Sequence, residues 1–213
     1  MRAMSPGSRP RSVTRRALAA AAALMLSLVL AGCGSSFDPT GPCTADGSAP
    51  GAYPELEATV PKLFAGSGPS GVDSGRACTS TGLGTLATHG VKELRFAGAT
   101  WTTGTDSGLS LALFTTADGT TLDPAWLAEF YEAGARQGKN VQSVDSVAYP
   151  VSPSVTGSRL DVLNGESYQS VVVWERDGRV AVAVIADFIR EIQTKEAHDK
   201  VVRAAVDAFA AAG

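Results

Sequence analysis

Histidine and cysteine are scarce in this chain: two His and three Cys among 213 residues, with no Cys-x-x-Cys and no closely spaced His pair. Four convergent ligands for a structural zinc cannot be drawn from that set, so no metal is expected. A Gly-x-Ser-x-Gly elbow is missing as well; Ser67, Ser70 and Ser74 fall in a Gly/Pro-rich stretch read as a loop. The glycine-rich segments "GSGPSG" and "DSGRAC" lack the lysine of a phosphate-binding loop. Asp118-Gly119 and Asp123 lack the spacing and the closing Glu of a calcium loop, and no cofactor is expected. The longest apolar run, Ala17–Ala31 with only Ser27 inside it, is 15 residues. A bilayer-spanning helix needs about 20.

Charge is unevenly placed. Five of the 18 basic residues (Arg2, Arg9, Arg11, Arg15, Arg16) and none of the 21 acids lie in the first 16 positions. From Cys33 onward 13 bases face 21 acids, a formal charge of −8. An acidic body of this kind argues against nucleic acid as a partner and against a polybasic grip on anionic lipid.

Basic residues followed by a short apolar run read as a secretory signal. Arg15-Arg16 lacks the fuller surroundings of a twin-arginine signal, so the general secretory route is expected. The run ends in Leu30-Ala31-Gly32-Cys33, which resembles the lipobox of bacterial lipoproteins at all four positions. The resemblance implies cleavage before Cys33 and a diacylglycerol thioether on its sulfur, which would hold the protein on the extracytoplasmic face of the cell membrane. Two acyl chains suffice for stable anchoring at about 0.8 kcal/mol per buried methylene. Residues 1–32 are then the signal peptide, 33–52 a flexible Gly/Ser/Pro-rich tether, and 53–213 one domain. Cys43 and Cys78 remain as an even pair in a compartment where disulfides persist, and are expected to bond.

Within the domain, "YPELEATVPKLFAG" suggests a short helix with Pro54 in its first turn, and "CTSTGLGTLATHG" another, ended by Gly90. Gly66–Gly75 reads as a surface loop. Alternating apolar positions predict strands over "VKELRFAGATW" and "LSLALFTT". Asp123 as N-cap, Pro124 and the stripe Leu127, Phe130, Tyr131, Ala135 predict a helix over 123–137. "NVQSVDSVAYPV", with Val141, Val144 and Val147, and "GSRLDVLN" read as strands. Asp177-Gly178 joins two strongly apolar runs as a hairpin, whose continuous hydrophobicity predicts cover on both faces. Thr194 caps a last helix, 194–211, with Val201, Ala205, Ala208 and Phe209 as its expected buried stripe. The sum is an α+β domain: a mostly antiparallel sheet of about six strands packed with two main helices and short N-terminal ones. In element order it is similar to PsbP-like sheet-and-helix modules and to actinobacterial lipoprotein lipid carriers.

Candidate chemistry is thin. His89 is placed at a helix end, and His198 on the polar side of the last helix among Glu196, Asp199 and Lys200. The carboxylate pairs Asp161/Glu166 and Glu175/Asp177 are assigned to turns, where acids serve as turn formers. Trp101, Trp126 and Trp174 are expected to fill the space between sheet and helix. The expectation is a lipid-anchored, non-catalytic binding or accessory module whose partner is another envelope component. A carrier of an apolar ligand or lipid is the alternative, with Val171, Val173 and Val182 facing an opening; an acid-pair hydrolase comes third.

Overall fold

A computed structural model describes residues 37–212; the leader and Cys33 lie outside the described residues. The strands are β1 (Gly47–Ala49), β2 (Gly71–Ala77), β3 (Leu94–Thr102), β4 (Gly108–Thr116), β5 (Val141–Ser152), β6 (Val155–Asn164), β7 (Ser167–Arg176) and β8 (Arg179–Phe188). The helices are α1 (Pro54–Glu57), α2 (Ser80–Leu83) running into a 3-10 turn (Gly84–His89), α3 (Pro124–Arg136), α4 (Ile189–Ile192) and α5 (Lys195–Ala210). All strand pairs are antiparallel in one sheet of order β1-β2-β3-β4-β8-β7-β6-β5. The class is α+β, with eight strands instead of about six.

Both extra strands lie where the sequence reads as tether and loop. The segment "GVDSGRA" carries no alternation of large side chains; β2 exists because it pairs along its whole length with β3 and, at Ser74–Arg76, with β1. Glycine is needed there: a Cβ on Gly75 would stand 2.3 Å from the Gly47 carbonyl oxygen and 2.7 Å from the Phe96 ring. Ser74, expected in a loop, is buried on β2, its hydroxyl donating to Glu57 Oε1 (2.8 Å) and accepting from the Tyr53 amide (2.7 Å).

The β7–β8 hairpin turns through Asp177 and Gly178, both in the left-handed region (φ 53° and 74°), which matches the right-handed strand twist. Its strands lie inside the sheet and alternate between two cores. Val171, Val173, Val180 and Val182 join Leu127, Tyr131 and Leu160 beneath α3. Val172, Trp174, Ala181, Ala183 and Ile185 join Val202, Val206 and Phe209 beneath α5. Burial pushes the Tyr131 phenol pKa up. Edge strand β5 tolerates Pro150 beside a register shift, and leaves Val147 exposed while Val141 and Val144 pack against the α3 side. Among the described residues no helix is long and apolar enough to cross a membrane.

The buried face of α5 keeps Ala205 and Phe209 of the expected stripe but takes in residues beside the other two. It consists of His198, Val202, Ala205, Val206 and Phe209, whereas Val201 and Ala208 lie at its margins. Both stripes have helical spacing and share Phe209, edge-on against Trp174 at 5.4 Å; the observed one wins because it carries His198 to a buried acid and turns Val202 and Val206 into the core with Val172 and Trp174.

Candidate functional site

The Thr194 hydroxyl caps α5 by accepting from the Ala197 amide (3.2 Å), and this start places His198 inward, over the sheet. Asp187 on β8 lies across from Tyr168, two residues from Ser170 on β7, and Ser170 lies across from Asp161 on β6. These registers bring four side chains into one line. His198 Nδ1 is 2.7 Å from Asp187 Oδ2, and Nε2 is 2.8 Å from Ser170 Oγ. Ser170 Oγ in turn donates to Asp161 Oδ1 at 2.5 Å. Arg159 Nη2 donates to Ser170 Oγ (3.1 Å) and to Asp199, while its Nε donates to Asp161 (2.7 Å). Lys195 closes the outer end on Asp199 (2.9 Å) and Asp161 (3.5 Å). The Tyr168 ring flanks His198 at 5.8 Å, and the Tyr149 ring lies under the Arg159 guanidinium at 5.7 Å.

Ser–His–Asp in this order is the connectivity of a hydrolase relay, but the surroundings suit it to holding and not to attack. Ser170 has no exposed surface, Asp187 2% and His198 1%. A nucleophilic hydroxyl must pass its proton to the imidazole and keep a lone pair for the substrate. Ser170 gives its proton to Asp161, accepts from Arg159 and has His198 Nε2 at 2.8 Å, so its hydroxyl is engaged on three sides within the protein. Lys195 and Asp199 lie outermost, Asp161 is part-buried, and Arg159, the innermost charge, is paired with both carboxylates. Burial alone would raise the Asp199 pKa, but hydrogen bonds from Arg159 and Lys195, with their charges, outweigh it and hold this carboxyl below the usual range.

His198 was placed on the polar side of its helix by its charged neighbours; it belongs to the buried face, and Asp199 and Lys195 beside it are the solvent end of its network. Asp161, assigned to a turn, is a strand residue of that network, whereas Glu166 sits in the β6–β7 turn, where its amide donates to Asn164 Oδ1 (2.9 Å). Glu175 accepts from the Gly178 amide (2.7 Å) and Asp177 is largely exposed. Neither acid pair forms a site. Ser170, Asp187 and Arg159 went unremarked in the sequence; the available signal was a polar residue on each strand at an inward-facing position, Ser170 within "SYQSVVVW" and Asp187 within "VIADF". Trp101 and Trp174 fill the core, Trp101 also donating from its indole N–H to Ser67 O (3.0 Å). Trp126 stacks half-buried on His89 (4.8 Å, 7°), whose Nε2 meets Glu129 (2.8 Å). Among the described residues no three His, Cys, Asp or Glu side chains gather as metal ligands would.

A second cluster ties the N-terminal segment to the sheet. From Phe37 to Ala52 the expected tether is packed: Arg76 on β2 reaches into it and donates to the carbonyls of Gly41 (2.9 Å), Asp38 and Pro42 (both 3.1 Å). Phe37 lies under the same guanidinium at 5.7 Å. Asp46 accepts from the amides of Cys78 (2.7 Å) and Thr79 (2.9 Å), and Cys43 and Cys78 are joined at disulfide distance with Cα atoms 5.8 Å apart. Composition alone marks this stretch as unable to bury apolar surface; carbonyls around one arginine and a sulfur link order it instead. Neither a protein-family model nor a curated protein matches this chain.

Proposed function

We propose that the chain is an exported lipoprotein, anchored through Cys33 on the extracytoplasmic face of a bacterial cell membrane, acting as a non-catalytic binding or accessory module. The observation that carries this reading is the Leu30-Ala31-Gly32-Cys33 motif at the end of the apolar run, supported by the Cys43–Cys78 pair at disulfide distance; Phe37–Asp46, which begins four residues after the candidate acyl acceptor, is fastened to β2 and Cys78. Four residues reach at most about 14 Å when fully extended, so an anchor at Cys33 would hold the domain close against the bilayer. The sealed Ser170, its hydroxyl engaged within the protein, supports a role without catalysis. Val171, Val173 and Val182 lie packed beneath α3 and face no opening, which favours the accessory reading over a carrier with its cavity between sheet and helices.

Cys33→Ala tests the anchor. The variant should leave the membrane fraction for the medium or accumulate as uncleaved precursor; unchanged membrane retention with a trimmed N-terminus would overturn the proposal.

A further inference from the structure

At the tip of the β7–β8 hairpin an open groove of about 290 Å³ runs between the hairpin, the segment after α1 and the end of α5; it is lined by Thr59, Leu113, Arg176, Asp177, Arg179 and Ala212, with Ala58 beside Thr59. That volume is at the small end for ligand sites, which start near ~300 Å³. Two cations share the groove in a body of charge −8. Arg176 is nine-tenths buried in its wall, with the guanidinium over the Phe209 ring at 5.1 Å and Nε a loose 3.6 Å from Asp177. Its Nη1 is buried with no hydrogen-bond partner among the described residues. That nitrogen is closed off from solvent and is a cost of burial; the donors a ligand in the groove can reach are those on the 10% of the side chain that stays exposed. Arg179 lies opposite, one Nη1 bond reaching Thr59 Oγ1 (3.3 Å), which itself donates to Leu56 O. The acid at the rim, Asp177, is 82% exposed on the turn with its carboxylate 3.6 Å from Arg176 Nε, so a bound oxyanion takes its place on the guanidinium; Glu175 is engaged by the Gly178 amide.

We infer that this groove binds a phosphate oxyanion, with Arg176 and Arg179 as the paired donors and Leu113 and Ala58 as the apolar floor. Guanidinium forks fit tetrahedral oxyanions, and a water-poor wall strengthens the contact. The inference of source rests on the anchored reading. Register places Ala77, Leu94, Thr116 and Val180 at one end of the sheet, so the groove opens at the same end as the Cys43–Cys78 link and the chain leading back to Cys33. β2 and β8 are three strand spacings apart, about 14 Å. An anchor at Cys33 therefore brings the groove to the level of phospholipid headgroups, and the oxyanion is that of an anionic headgroup.

The test uses the chain from residue 33 onward with Cys33→Ala, so that neither an acyl chain nor the basic, apolar leader touches the vesicle. It should sediment with vesicles of phosphatidylcholine containing phosphatidylglycerol and not with phosphatidylcholine alone, and inorganic phosphate should compete. Arg179→Gln should weaken binding by about tenfold at an unchanged melting temperature, and Arg176→Lys should weaken it as much with a lowered melting temperature, because it gives up the guanidinium stack on Phe209. Arg190→Gln, which removes a cation at the far end of β8, should bind like the parent. Binding of inorganic phosphate without vesicle binding would keep the site and reassign its source to a soluble phosphate. No binding of either, or equal binding by Arg179→Gln, overturns it. Because the assay is independent of acylation, a failed anchor and a failed groove are read separately.

Discussion

The Asp187–His198–Ser170–Asp161 line has three links. Through them one imidazole joins α5 to β7 and β8. His198→Ala strands Asp187, which is 2% exposed and has the imidazole as its partner, and should destabilise the fold by about 3–5 kcal/mol in chemical denaturation. A loss under about 1 kcal/mol would show that water replaces the ring without penalty. The residue types of this network are plain in the sequence, but its wiring is not. His198 is flanked by charges that are visible locally, while its partners lie 11 and 28 positions away on strands whose register sequence periodicity does not supply.

Elements signalled by capping and turn chemistry were legible: Asp123 and Thr194 cap α3 and α5, and Asp177-Gly178 makes the hairpin. β1 and β2 were not, because glycine and serine there serve close approach of backbones and leave no hydrophobic alternation. Where elements meet, α5 is tied to β6 by the Arg159–Asp199 pair, and this junction carries a pH dependence. The Asp199 carboxyl is held below its unfolded value, so its contribution is present above that value and lost as pH falls through the folded one. Thermal unfolding should show the wild type losing stability more steeply than Asp199→Asn between about pH 5 and 3, with the two curves converging at the acidic end. Parallel curves would mean that the pair is balanced in the unfolded chain as well.

Across the whole molecule, one sheet is closed on both faces and fastened at the end where the chain comes in. The Cys43–Cys78 link closes a separation of 35 residues; Asp46 bonds to the Cys78 amide from inside that loop, while Arg76 reaches out of it to the carbonyls of Asp38, Gly41 and Pro42. The two fastenings divide the work: the sulfur link limits the unfolded chain, and the Arg76 bonds order the folded segment. Cys43→Ser combined with Cys78→Ser should cost about 3–4 kcal/mol on the loop-entropy account. The same double variant should admit limited proteolysis between Phe37 and Asp46 while β3 to β8 stay resistant, since the two cores beneath α3 and α5 draw nothing from residues before Tyr53. If proteolysis instead begins inside β7 or β8, the N-terminal closure supports the whole sheet and the domain is one cooperative unit up to Phe37. If the segment is cut equally fast in the disulfide-bonded protein, the tether begins where composition placed it, and the short reach from Cys33 to the domain is lost with it.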